Sequence, residues 1–282
     1  MRLLHSIEEM AAYSLSSWKS GRRVGLVATM GALHEGHLVL MRRARQECDN
    51  LVLSVFVNPT QFGPEEDLDR YPRSLQRDIQ MCRDEKVDVV FAPEREAMYP
   101  SGFSSWVEVE GDLTHTLEGR YRPGHFRGVT TVVTMLLNII MPHVSYFGQK
   151  DYQQSLIVKK IVKELHMPTV IVVVPTVREV DGLACSSRNQ YLSSRQREAA
   201  TVLYRSLKAG EAAIQQGEDN GPRVVALVRR MLHSESSLRE EYVAVVEPGN
   251  MQPVDYITSS VVIALAVRIG QVRLIDNIIA RT

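Results

Sequence analysis

Cysteine is scarce: Cys48, Cys82 and Cys185 stand far apart in a chain of 282 residues, odd in number and with no C-x-x-C pair. That excludes a disulfide framework and suits a reducing compartment, with the cytoplasm as the expected location. Net charge is missing too. Thirty-three Lys+Arg balance 33 Asp+Glu for a formal charge of +0, so no overall field draws the chain to nucleic acid or an anionic membrane, and any phosphate binding is local. Long hydrophobic runs are absent. The most apolar stretches, 129–141, 170–174 and 261–267, are short or interrupted by Thr and Asn, below the roughly 20 residues of a membrane span. The N-terminus carries Glu8 and Glu9 and lacks the basic-then-apolar pattern of a secretion signal. No internal repeat or low-complexity segment stands out, and the length suits two modest domains.

What is present centres on Thr29-Met30-Gly31-Ala32-Leu33-His34-Glu35-Gly36-His37. An apolar run over 24–28 precedes it and a helical pattern over 38–48 follows, which predicts a strand, a tight turn and a helix start. Two histidines three apart at a helix N-terminus share a face, where imidazole N–H donors and free backbone N–H groups converge on an anion. Gly31 and Gly36 let the backbone turn sharply and approach a ligand. The expected ligand is ATP. A zinc site of the His-Glu-x-x-His kind needs histidines four apart, and the spacing here is three. Two histidines flanking Glu-Gly at such a turn also weaken a purely structural reading.

The pattern along the chain is that of a parallel sheet. Ser6-x-x-Glu9 is a capping box that predicts a helix over 7–19. A buried strand over 51–57, a helix over 74–85 and a strand over 88–92 complete βαβαβ after the first strand. Irregular stretches over 58–73 and 93–104 suit substrate walls or lids. A strand is expected over 105–110, a short helix over 112–118 and an apolar helix over 128–141. Between these helices, the basic run from Arg120 to Arg127 has two open readings, phosphate contact or a solvated or subunit-facing surface. The arrangement strand, glycine turn, helix then recurs over 144–147, Gly148 to Asp151 and 152–166, before a last strand over 169–174. After a polar connector over 177–191, helices over 193–216 and 222–233 and strands over 242–246, 261–267 and 271–279 predict a small α+β domain.

His34-Glu35-Gly36-His37, Gly148-Gln149-Lys150-Asp151 and Ser186-Ser187-Arg188-Asn189, with Asn58-Pro59-Thr60-Gln61-Phe62-Gly63 and Tyr152-Gln153-Gln154, resemble the pantothenate synthetase family of the nucleotidyltransferase superfamily. The likeness spans about 24–191. Its fold would be α/β, a Rossmann-like doubly wound parallel sheet binding ATP and pantoate over 1–176, with a smaller C-terminal α+β lid domain over 177–282. The implied reaction condenses pantoate with β-alanine through a pantoyl-adenylate, releasing AMP and pyrophosphate. ATP would be bound by Met30, Gly31, Ala32, Leu33, His34, Glu35, Gly36 and His37, and by Gly148, Gln149, Lys150 and the ribose-binding Asp151. Val177 at the adenine and Cys185, Ser186, Ser187 and Arg188 at the phosphates complete that list, with His34, His37, Lys150 and Arg188 as the catalytic donors. Gln61, Gln154, Met30 and Asn58 would hold pantoate, with Gln61 also beside β-alanine. Mg²⁺ would ride on the phosphates rather than in a protein cage. The resemblance further implies a homodimer through the N-terminal domain, with no nucleic-acid or membrane partner.

Two residues depart from the family pattern: Ala28 where proline is usual before Thr-Met-Gly, and Cys185 where methionine or leucine is common. Neither alters the implied chemistry, since adenylation needs no covalent enzyme intermediate. Two rivals stay open, an adenylyltransferase that forms a dinucleotide and a non-catalytic nucleotide-binding module. A phosphorylated acceptor would call for Arg or Lys near Gln61, and 58–63 holds none.

Overall fold

The computed structural model describes residues 1–64 and 66–282. Its N-terminal part runs β1 (Arg2–Leu4), α1 (Ile7–Lys19), β2 (Val24–Thr29), α2 (Glu35–Glu47), β3 (Asn50–Val55), α3 (Leu75–Asp84) and β4 (Val89–Phe91). Three single-turn helices follow, α4 (Arg95–Met98), α5 (Asp112–His115) and α6 (Glu118–Tyr121), then α7 (His125–Ile140), β5 (Val144–Gly148), α8 (Tyr152–Glu164) and β6 (Val170–Val174). Only half of the capping box expected at the first helix forms: the Ser6 hydroxyl accepts from the Glu9 amide and itself donates to the Glu8 carboxylate at 2.6 Å.

All six strands pair in parallel in the order β1-β4-β3-β2-β5-β6. From β2 the chain winds outward through β3 and β4, then returns to the other side of β2 with β5 and β6. The winding reverses between β2 and β5, the point in an open parallel sheet where a crevice opens beyond the carboxyl ends of the strands. Apolar β2 and β3 are buried on both faces. Leu26, Val52 and Phe91 pack toward α1, α7 and α8 through Met10, Leu136 and Ile157, and Val27, Leu51 and Leu53 pack toward α2 and α3 through Met41 and Cys82.

The rest of the chain forms α9 (Ser194–Ala200), α10 (Val202–Gln215), α11 (Gly221–Leu232), β7 (Leu238–Val246), β8 (Val261–Ile269) and β9 (Val272–Ala280). The three strands make an antiparallel sheet with β8 in the middle. One face packs on α10 and α11 through Leu207, Val228 and Leu265. The other packs, through Val246, Val262 and Ala264, against Leu113, Leu117, Tyr152 and Leu156 of the N-terminal part. Being covered on both faces explains why β8 reads as an almost unbroken apolar run.

Several expectations are corrected. β1 has no counterpart among the expected elements; it is a short edge strand docked on β4 from Arg2 N to Asp88 O at 2.7 Å. The strand expected over 105–110 does not form. Instead, hydroxyls on α7 occupy the Val107 backbone, Thr131 accepting from its N–H and Thr130 donating to its carbonyl. The helix expected over 112–118 ends at His115, and Leu117, at φ +45°, redirects the chain into α6. The helix expected over 193–216 is two, α9 and α10, separated at Thr201. β7 starts earlier than expected and has an irregular register between Glu240 and Tyr242.

Candidate active site

The histidine turn leaves the carboxyl end of β2. Thr29 Oγ1 donates to Ser54 O at 2.7 Å and accepts from Gly31 N at 3.1 Å, tying the strand end to β3. Gly31 at φ +81° and Ala32 at φ +51° take the left-handed conformation that makes the turn. The amides that follow are satisfied from outside: the buried Asp78 carboxylate on α3 accepts from Ala32 N at 3.0 Å and Leu33 N at 2.9 Å. His34 then caps α2, its Nδ1 accepting from Gly36 N at 3.2 Å, while His37 Nδ1 accepts from His34 N at 3.3 Å. With both Nδ1 atoms accepting, the ring protons sit on Nε2. The rings lie 4.0 Å apart. Burial, then the charge of Lys150, lowers His34 to about 4. His37 falls well below its ordinary value through burial, then the charges of His34 and Lys150. Both are therefore neutral Nε2–H donors near pH 7. A side chain at Gly36 would meet the His34 ring at 2.9 Å, so glycine is needed for that cap.

Gln61 stands on a 3-10 turn, Pro59–Gln61, capped by Asn58. Asn58 is fully buried and commits its amide internally, donating to Gln61 Oε1 at 3.0 Å and Gly128 O at 3.1 Å and accepting from Tyr99 OH at 2.8 Å. It thereby orients Gln61 at the edge of the cavity that both residues border. The Gln61 carbonyl accepts from His125 Nδ1 at 2.8 Å and Arg122 at 3.3 Å. The turn sits so close to α7 that a side chain at Gly128 would meet Gln61 N at 2.7 Å.

The second turn leaves β5, the other strand at the switch point. It places Lys150 and Asp151 at the cleft, their charged groups 3.8 Å apart. Both consecutive glutamines, Gln153 and Gln154, border the cavity, and Gln153, which is buried, also ties Glu118 N, Leu113 O and Thr116 O together. Met30, His34, Gly36, His37, Asn58, Gln61, Gly148, Lys150, Asp151, Gln154, Val177, Cys185, Ser186, Ser187 and Arg188 all border one cavity of about 240 Å³. A second chamber of about 490 Å³ adjoins it, sharing Lys150, Asp151, Ser186 and Arg188.

The Pantoate-beta-alanine ligase family model matches residues 2–279. The chain belongs to the pantoate–β-alanine ligase family. It is 50% identical to the pantothenate synthetase of Moorella thermoacetica over 99% of this chain and 98% of that protein. It is 48% identical to that of Carboxydothermus hydrogenoformans over 99% of each. The crystal structure of pantothenate synthetase from Thermus thermophilus superimposes with a TM-score of 0.94 at 45% identity, covering 99% of both chains. A pantoate–β-alanine ligase from Francisella tularensis, described as complexed with β-γ ATP and β-alanine, superimposes with a TM-score of 0.81 at 36% identity, covering 99% of this chain and 97% of that one.

Within this family member, some residues expected at ATP stand off the cavity. Gly31 and Leu33 are buried, and the Ala32 and Leu33 amides are taken by Asp78. Glu35 is exposed and pairs with Arg42 at 2.6 Å, and the Gln149 side chain turns to Asn277 at 3.3 Å. Arg188 reaches the cavity wall but is held bidentately by Asp67 at 2.9 and 2.7 Å, with Ser187 Oγ 3.1 Å from Tyr71 OH. Cys185 is buried, and burial, then Glu179 and Glu35, push its thiol up, so it is a neutral wall residue. Ala28 lines the cavity from β2.

Sequence reasoning missed an ionic cluster joining α6 to the small sheet. Arg273 clasps Glu118 with two 2.7 Å bonds and Glu241 with another, Tyr242 OH donates to Glu118 at 2.8 Å, and Arg122 clasps Glu66. Burial alone would raise the Glu118 carboxyl, but the hydrogen bonds and charge of Arg273 and the charge of Arg122 hold it at about 2. His125, accepting from Arg122 at 3.0 Å, is lowered to about 3, by burial first and then by Arg122. The basic run thus divides. Arg122 and His125 face inward behind Gln61, Arg120 is exposed, and Arg127 lies over Trp106 at 4.5 Å. No local pattern signals which of these turns inward.

Proposed function

We propose that the chain condenses pantoate with β-alanine at the expense of ATP, in the cleft above β2 and β5. One observation carries the reading: Gln61 and Gln154, amides suited to a hydroxy acid, border the same cavity as the neutral histidine pair and Lys150. A pantoate carboxylate oxygen attacks the α-phosphorus of ATP, and the bond to the pyrophosphate oxygen breaks. The β-alanine amine then attacks the acyl carbon, loses a proton and expels AMP. Charge grows on phosphate oxygens in the first step, where His34 and His37 Nε2–H and the Lys150 ammonium stabilise it without reorganising. Arg188 joins once it leaves Asp67, and Ser186 and Ser187 supply hydroxyl and backbone donors. Asp151 and Val177 serve ribose and adenine, and Met30 closes the pantoate side.

Among the described residues no group of three His, Cys, Asp or Glu could hold a metal ion. Mg²⁺ would enter as the counter-ion of ATP and would supply neutralisation of the phosphate charge when bound. The reading includes the division into an ATP- and pantoate-binding domain over 1–176 and a lid domain over 177–282, a homodimer through the first and a cytoplasmic location. Among the described residues no helix is long and apolar enough to cross a membrane. A dinucleotide-forming transferase is disfavoured because Arg122, the cation behind Gln61, is already clasped by Glu66. The test is to incubate the protein with MgATP and pantoate, with and without β-alanine, and follow AMP, pyrophosphate and pantothenate. Failure to make β-alanine-dependent pantothenate overturns the reading; light scattering tests the dimer.

A further inference from the structure

The small sheet reaches into the cleft through two consecutive residues of β9, Asp276 and Asn277, exposed by only 2% and 3%. Asn277 spends both ends of its amide on the turn that carries Lys150. Its Nδ2 donates to Gln149 O at 3.1 Å and Lys150 O at 2.9 Å, and its Oδ1 accepts from Gln149 Nε2 at 3.3 Å. Asp276 grips the other wall, accepting from Arg178 at 2.6 and 2.9 Å, and Arg178 also donates to Gly182 O at 3.1 Å and Asn277 O at 3.2 Å. Arg178 stands beside Val177 at the head of the segment that runs to Arg188. A two-residue stretch of one domain thus holds the backbone of the lysine turn directly, through Asn277, and reaches the backbone of the other segment at Gly182 through the Arg178 guanidinium that Asp276 grips. Lys150 itself is anchored by its backbone, with its ammonium close enough to both imidazoles to depress them.

We propose that Asn277 is a positioning residue for Lys150, by which the small domain sets where the ammonium stands during adenylation. The proposal rests on the reading of the cleft given above. A primary amide suits the task because it donates twice to carbonyls while accepting once; a carboxylate of the same size would face two carbonyl oxygens with no proton to offer. Loss of the amide leaves Lys150 present but displaced, and displacements near 1 Å cost on the order of a hundredfold in rate.

A double-mutant cycle tests this, reading single-turnover release of pyrophosphate from MgATP and pantoate. Asn277→Ala is expected to slow adenylation by ~10- to 100-fold with KM for pantoate little changed. In a Lys150→Ala background the same substitution should cost no more than ~3-fold, because a residue acting through Lys150 has nothing left to position. Losses that multiply in the double variant, or an unchanged rate in Asn277→Ala, overturn the proposal. If Asn277→Ala folds poorly, Asn277→Asp keeps the size and removes the donors, and the same cycle decides. Wild-type turnover is the internal control: if it proceeds normally and the coupling is absent, only the role of Asn277 falls.

Discussion

The turn after β2 and the turn after β5 stand side by side at the edge of one sheet, yet different parts of the chain hold them. The histidine turn is mostly local: His34 and His37 cap the start of α2, and Ser54 and Asp78 come from further along the same part of the chain. The lysine turn is gripped by Asn277, which lies 127 positions from Lys150 on the other sheet. Arg188 is likewise held by Asp67, 121 positions away. The histidine wall is preorganised within its own domain, whereas the wall opposite depends on how the small sheet sits. Glu118, Arg273 and Tyr242 fasten that sheet to α6.

The comparison breaks most severely at its two donors. His37→Ala and Lys150→Ala should each lower the adenylation rate by about a hundredfold or more, measured as pyrophosphate release, because each removes a donor aimed at growing charge. A rate like wild type removes that residue from the mechanism. Next comes the fastening of the domains. Glu118→Gln leaves the partly buried Arg273 without its full counter-charge and should cost about 3 kcal/mol, read from denaturant unfolding; a loss under about 0.5 kcal/mol would show that Glu241 suffices.

Asp78→Ala attacks the histidine wall from outside, orphaning two amides at about 1–3 kcal/mol of stability and lowering activity through the turn. Circular dichroism melts and pyrophosphate release measure the two effects. Acid should loosen both walls together. Glu118 is held at about 2, below the unfolded carboxylate range, so its contribution is full above that range and lost as pH falls toward 2. His34 at about 4 and His125 at about 3 lie below the unfolded 6.5, so theirs is full above 6.5 and lost as pH falls through that window. Stability should decline from about pH 6.5 downward, and a flat profile between 6.5 and 4 would refute neutral histidines. The smallest effect sharpens the contrast: Asp67→Asn frees Arg188 and should tighten ATP binding by ~2- to 5-fold in titration calorimetry, since less free energy goes into breaking the pair.

Much of this was legible locally. The parallel sheet follows from buried β-branched runs such as 51–55, and the histidine turn from a strand, glycines and a helix start within a dozen residues. Family motifs pointed to Gln61, Gln154 and Asn58, and all three border the cavity; that Asn58 and Gln153 also brace the structure internally is not visible in the sequence. The strand-like alternation over 105–110 misled because Thr130 and Thr131, not a neighbouring strand, satisfy Val107. Asp78, Asp67, Asn277 and Glu118 carried no signal at all. Each is a common polar residue in an ordinary helix, strand or loop, distinguished only by what lies opposite.

The amino-acid sequence by itself determined the periodicities, the glycine turns and the spacing of His34 and His37, since backbone conformation and helix geometry act over a few residues. Only the tertiary structure decided which polar side chains face the cleft and which hold it together. That choice depends on burial and on partners up to 155 positions apart, as in Glu118 and Arg273. An unpaired buried charge or amide is too costly for a fold to leave without such a partner.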